Sequence, residues 1–186
     1  MPAKTDLSRL NCSLARALGA VGDWWTMLIV RDAFMGVDRF GEFQKSTGIA
    51  RNILANRLQA LVDDGILAKQ GTSERPLYQL TQKGYDLLPA LVALMQWGDK
   101  WQSAGTPPVE LTDAEGEAVA RVSVQSATGQ AVTADTIRFR PGPGASKETQ
   151  LFLSGLAKSA AADAASRRRD NDAFGPRPDR HARKAT

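Results

Sequence analysis

Residues 40–64, FGEFQKSTGIARNILANRLQALVDD, run straight into residues 65–84, GILAKQGTSERPLYQLTQKG, and this stretch decides the reading of the chain. A short helical segment, a turn at Gly48 and a longer amphipathic helix come first. In the longer helix Ile49, Ile53, Leu54, Leu58 and Leu61 recur at helical spacing, which gathers them on one face. The opposite face carries Arg51, Asn52, Asn56 and Gln59, with Arg57 near the boundary. Ala50 stands where a Ser or Thr cap would help, so Thr47 or the turn backbone is expected to serve. Gly65 fits a left-handed stop after the last turn.

Two short strands are predicted next, Ile66 to Lys69 and Leu77 to Leu80, around a turn-rich loop from Gly71 to Pro76. Helix, turn, helix and hairpin in this order are the layout of a winged helix-turn-helix. Its second helix suits the major groove of DNA and its hairpin the neighbouring backbone. A polar helix face alone is more often simply solvated. Beside this turn and hairpin it points to DNA, because Arg pairs with guanine, and Asn or Gln with adenine, through two hydrogen bonds. Arg51, Asn52 and Asn56 are therefore the base-reading candidates. Arg57, Lys69 and Arg75 are candidates for phosphates, which supply affinity with little sequence information.

Thr81 to Gln102 reads as one long helix, with Pro89 expected to kink it. Leu87, Leu88, Leu91, Val92, Leu94, Met95, Trp97 and Trp101 make an apolar surface too broad for one contact. One side is expected to cover the winged domain. The other, with Leu91, Leu94, Met95, Trp97 and Trp101, is expected to meet a second copy. Beyond Pro107-Pro108, strands are predicted at Val109 to Leu111, Ala118 to Gln125 and Ala131 to Arg140, with a turn at 127–130. Ser146 suits the cap of a further Ala-rich helix. The fold class expected is mainly α with a small β part. Residues 1–104 are expected to form the DNA-binding and dimerisation domain, 105–144 a small antiparallel β appendage, 145–166 the Ala-rich helix and 167–186 a basic disordered tail.

Several short motifs in order resemble the HxlR-type regulators, a branch close to the MarR winged-helix proteins. They are Gly22-Asp23-Trp24-Trp25-Thr26-Met27-Leu28-Ile29-Val30-Arg31-Asp32, Arg39-Phe40-Gly41-Glu42-Phe43, Asn56-Arg57-Leu58, Gly65-Ile66-Leu67 and Tyr78-Gln79-Leu80-Thr81-Gln82-Lys83-Gly84. The likeness spans roughly residues 10–102. It implies homodimeric transcription factors, usually repressors, on near-palindromic operators in double-stranded DNA. It also implies that Arg39 lies near the phosphate backbone. Cys12 matches the N-terminal cysteine by which several such regulators sense oxidants or electrophiles, and Arg9 and Arg16 stand within one helical turn of it. A lone cysteine is otherwise most often a small buried apolar residue. The other trigger considered is a small-molecule effector among Trp24, Trp25, Phe34, Trp97 and Trp101, although aromatics at helical spacing are more often core.

Composition narrows the remaining classes. No apolar run in the 186 residues is long enough for a bilayer, and a single cysteine fits a reducing cytoplasm. One Cys and one His cannot build a structural zinc site, and no cofactor motif stands out. An enzyme is not expected: His181 lies far from Cys12 in the sequence, and no distinctive carboxylate pair appears. The net charge of +4 resides in the last 22 residues, where seven Arg or Lys face three Asp. Such a tail suits an electrostatic arm on DNA or a solubilising one. The alternative function is a winged helix that binds protein partners without specific DNA recognition.

Overall fold

Helix boundaries fall where local chemistry puts them in a computed structural model that describes residues 7–103 and 106–159. The chain divides into two compact units, Met1–Thr133 and Ala134–Thr186. After a 3₁₀ turn at Leu7–Arg9, the first unit runs through helices α1 (Ser13–Val21), α2 (Trp24–Phe34), α3 (Phe40–Thr47) and α4 (Arg51–Asp63). Strands β1 (Leu67–Gly71) and β2 (Pro76–Leu80) follow, then α5 (Gln82–Tyr85) and α6 (Leu88–Trp101). The result is mainly α with a small antiparallel sheet, a winged helix-turn-helix as the sequence predicted.

Asp23 caps α2, its carboxylate accepting the Trp25 amide at 3.1 Å. Gly48 ends α3 at φ 69°, in the left-handed region where a side chain would be strained. β1 and β2 pair from Leu67–Leu80 to Gly71–Pro76. A bridge between Arg39 and Leu77, with the Tyr78 amide donating to the Asp38 carbonyl at 2.8 Å, ties the entrance of α3 to the wing. Ile29 and Val30 of α2, Phe43 of α3, Leu54, Leu58 and Leu61 of α4, and Ile66, Leu67 and Tyr78 of the wing close one core. Each fully buried aliphatic or aromatic side chain there is worth about 1.5–3 kcal/mol, so α4 cannot rotate without losing several of them.

The junction between α4 and the wing explains the Thr81–Gly84 run. Gly65 takes φ 67°, as the sequence predicted. The Thr81 hydroxyl donates to the Gly65 carbonyl at 2.6 Å and accepts the Gly84 amide at 3.2 Å, capping α5. Lys83 Nζ donates to the Asp64 carbonyl at 2.5 Å. Carbonyls left over at the end of α4 are thus satisfied by the residues that open α5.

The single helix predicted over 81–102 is instead two. It breaks at Asp86–Leu87, and Pro89 sits in the first turn of α6, where its missing amide costs nothing. The β appendage also differs. Strands predicted at 109–111, 118–125 and 131–140 do not form as ladders; single bridges join Thr112 to Ala118 and Gln125 to Ala131. The reason is local. Asp113 Oδ1 accepts the amides of Glu115 and Glu117 at 3.0 and 2.9 Å, closing one tight turn. Ser126 Oγ closes the second by accepting the Gln130 amide at 3.1 Å. Between the turns, Ala120 and Val122 bond to the Gln96 side chain of α6 and not to another strand.

In the second unit a helix, α7, covers 147–159, and Ser146 Oγ accepts the Thr149 amide at 3.2 Å as a cap. The rest of the helix expected to 166, and the basic tail 167–186, lie outside the described residues. No helix among the described residues is long and apolar enough to cross a membrane.

Gly84 offers the sharpest test of this packing. A Cβ there would stand 2.5 Å from the Ile66 carbonyl oxygen and 2.8 Å from Leu80 Cδ2. Gly84→Ala is expected to destabilise the fold by about 1–3 kcal/mol, read as a lower midpoint in urea with an unchanged slope. A midpoint equal to wild type would show that the junction is not tightly packed.

Candidate nucleic-acid interface

Because Leu54, Leu58 and Leu61 point into the core, α4 has only one face to offer solvent. Arg51, Asn52, Asn56 and Gln59 lie on it and are exposed. Arg51 opens the helix, and its guanidinium sits over the Phe40 ring, 5.2 Å from the centroid. Stacking of this kind holds a flexible cation in one region while leaving its donors available. Gln59 is tied back, donating to Asp63 Oδ1 at 2.8 Å.

No side chain caps the start of α4, where Ala50 occupies the cap position. Thr47 serves only the turn before it, its hydroxyl donating to the Phe43 carbonyl at 2.6 Å and accepting the Ile49 amide at 3.4 Å. The uncapped first-turn amides give this end of the helix its partial positive charge, on the same side as Arg51.

Arg57 stands apart from the other basic candidates. Its Nη2 lies 2.8 Å from Asp23 Oδ2, and its side chain is only 30% exposed. Asp23 therefore caps α2 with one oxygen and holds α4 with the other. This ion pair forms because the boundary position on α4 faces the start of α2. Lys69 on β1 and Arg75 in the wing loop are both exposed. The loop is shaped by Gly71 at φ 84° and by the Arg75 amide, which donates to the Thr72 carbonyl and hydroxyl at 3.2 Å each. Arg39 immediately precedes α3 with its side chain 55% exposed, 3.9 Å from the Asp38 carboxylate.

Asp32 went unassigned in the sequence reading. Its carboxylate is fully buried on α2, and Oδ1 accepts from Arg31 Nη2 at 2.6 Å and Nε at 2.9 Å. An Arg-Asp pair in a helix otherwise apolar but for Thr26 was the available signal, since a carboxylate enters a core only with a partner.

The residues predicted to meet a second copy are divided. Leu91 is buried within its own chain and Met95 is half-buried, so Leu91 serves the protomer. Leu94, Trp97 and Trp101 are 58, 54 and 60% exposed. A second apolar stripe was not foreseen: Leu10, Leu14 and Leu18, at four-residue steps, are exposed along and just before α1. Of the aromatics considered for an effector cavity, Trp25 and Phe34 pack against the winged core, while Trp24 is exposed. Cys12 lies at the cap position of α1 and is exposed, not buried.

Comparison with known proteins agrees with this geometry. Residues 20–106 match the HxlR-like helix-turn-helix family. The HTH-type transcriptional regulator Rv3095 of Mycobacterium tuberculosis is 41% identical over 137 residues, covering 71% of this chain and 87% of that protein. The crystal structure of PA1607, described as a transcription factor, superposes with a TM-score of 0.69 at 41% identity, over 74% of this chain and all of that one. PA1374 of Pseudomonas aeruginosa, described likewise, gives 0.55 at 38% identity, over 75% of this chain and 99% of its own. This chain belongs to the HxlR-like helix-turn-helix family of transcriptional regulators.

Proposed function

We propose that the protein is a homodimeric repressor that reads a near-palindromic operator through α4 and releases it in response to a chemical signal. The observation that carries this reading is the outward face of α4, with Arg51, Asn52 and Asn56 exposed beside an uncapped helix start. In this reading Arg51, held over Phe40, pairs with a guanine, and Asn52 and Asn56 pair with adenines. Arg39, Lys69 and Arg75 contact phosphates on either side of the groove. Arg57 supports the face from behind through Asp23.

A second copy is favoured by the exposed apolar side chains of α6 and α1, Leu94, Trp97, Trp101, Leu14 and Leu18. Exposed apolar stripes of this kind mark interaction surfaces. A dimer sets the spacing of its two recognition helices, and a signal acts only by favouring one spacing over another. Cys12 is the candidate receiver, since its thiol is exposed at the start of α1, on the element that carries one of these stripes. Modification there changes the packing of the dimer and not the DNA face.

Substitutions separate the roles. Arg51→Ala is expected to cost about 1–3 kcal/mol on the operator and little on random DNA; equal losses on both would remove its base-reading role. Arg75→Ala should weaken all sequences alike and lower the slope of log affinity against log salt by about one. An unchanged slope would take Arg75 off the phosphates.

Arg57→Ala should act on the fold first, destabilising it by about 1–3 kcal/mol, read as a lower urea midpoint, because it leaves the Asp23 carboxylate without its cation. Wild-type stability with lost DNA affinity would instead return Arg57 to the interface.

The function itself is tested by binding to the DNA upstream of the protein's own gene, with and without oxidant, for wild type and Cys12→Ser. Specific binding that oxidation abolishes only in the wild type is the expected result. Oxidant-insensitive binding would leave the operator and displace Cys12 as the receiver.

A further inference from the structure

The segment 111–132 carries an internal repeat. LTDAEGEAV (111–119) and VQSATGQAV (124–132) align residue for residue, with Gly116 and Gly129 at φ 88° and 80° in equivalent turns. Each copy closes with the same bond: the Val119 amide donates to the Leu111 carbonyl, and the Val132 amide to the Val124 carbonyl, both at 2.8 Å. Residues 119–124 are therefore the middle stretch of a meander whose outer arms are each one bridge long.

The hydrogen bonds of this middle stretch have a sidedness. In an extended strand the amide and carbonyl of one residue point the same way, and successive residues alternate. On the even-numbered side, Gln96 Nε2 donates to the Ala120 carbonyl at 3.1 Å and Gln96 Oε1 accepts the Val122 amide at 2.8 Å. That pair of bonds, to the carbonyl of one residue and the amide two further on, is how a parallel neighbour engages a strand. Val124 completes the side through Val132. On the odd-numbered side only Val119 is engaged; among the described residues nothing meets the amide or carbonyl of Arg121 or Ser123. One edge is thus filled by a side chain of α6 and a hairpin arm, and the other is open among the described residues of this unit. Val122 and Val124 remain 41 and 60% exposed and alternate with Arg121 and Ser123 as in a strand, without a sheet to serve.

We propose that this open edge pairs antiparallel with the same edge of a second copy, about a two-fold axis through Val122. The inference rests on the dimer reading above and deepens it. Arg121 then faces Ser123 of the partner subunit, and Ser123 faces Arg121 of the partner subunit, each pair exchanging two backbone bonds. Val122 faces Val122 of the partner subunit in the closer, non-hydrogen-bonded position. The edge is self-complementary because its two open residues flank a single central one, so the two-fold operation returns the same pattern. Continuity favours a copy of this chain over another partner. The helix that holds the segment through Gln96 presents Leu94 and Trp97 on either side of it in sequence, both exposed. Four backbone bonds bury too little surface for a stable dimer, whereas the same axis closing over those side chains buries more.

Cross-linking tests the register. In a Cys12→Ser background, Val122→Cys is expected to give a disulfide-linked dimer under mild oxidation, since facing residues of a non-hydrogen-bonded pair approach within disulfide range. Glu117→Cys, in the first turn, should stay monomeric on the same gel. Ser123→Pro removes an amide that the single chain leaves open, and is expected to raise the dimer dissociation constant roughly tenfold or more with an unchanged circular dichroism spectrum. A wild type that sediments as a dimer, together with unlinked Val122→Cys and wild-type association of Ser123→Pro, overturns the strand pairing and leaves the dimer intact. A wild type that sediments as a monomer at the concentrations used for DNA binding overturns both.

Discussion

The architecture depends on α4 having one face that must be buried. Leu54, Leu58 and Leu61 are at or near zero exposure against α2, α3 and the wing. Their combined burial is worth several kcal/mol, which fixes the rotation of the helix about its axis. Everything the outer face does follows from that setting. Arg51, Asn52 and Asn56 lie outward because the leucines lie inward. A substitution in the core that let α4 roll by one residue would turn the polar face by about 100° and remove it from any groove.

Three further contacts refine the position. Asp23 and Arg57 join the start of α2 to the middle of α4 across 2.8 Å. Thr81 and Lys83 take up the carbonyls at the end of α4 and so couple its direction to α5 and the wing. The ring of Phe40 holds the cation of Arg51 at the helix start. These are polar devices on an apolar platform, and each touches α4 at a different height. The wing is held by the same platform, since Tyr78 and Leu67 are buried while Lys69 and Arg75 are not.

Much of this was legible in the sequence because it is local. The leucine spacing of α4, the left-handed glycines at 48 and 65, and the turn-rich loop at 71–76 are each written in a few adjacent residues. What was missed is non-local or competitive. Arg57 sits on a boundary position, and only the placement of Asp23, a capping residue thirty-four positions earlier, turns it inward. Leu91 and Trp97 share one apolar helix, and periodicity alone does not say which of them the protomer buries. Pro89 signalled an irregularity, but its comfort in a first turn moved the break upstream to Asp86–Leu87. Val122 and Val124 alternate with Arg121 and Ser123 as in a strand, yet pairing needs a neighbour, and the neighbour within this chain is the side-chain amide of Gln96.

The central claim is that the outward face of α4 selects a DNA sequence. Selection of bound duplexes from a randomised pool, by the full chain and by Asn56→Ala, tests it most directly. The account requires two inverted half-sites, with centres about one helical turn apart, and a loss of preference in the variant at the same position of each half-site. A pool that remains random after repeated selection, or a preference that survives Asn56→Ala, Asn52→Ala and Arg51→Ala alike, would contradict it.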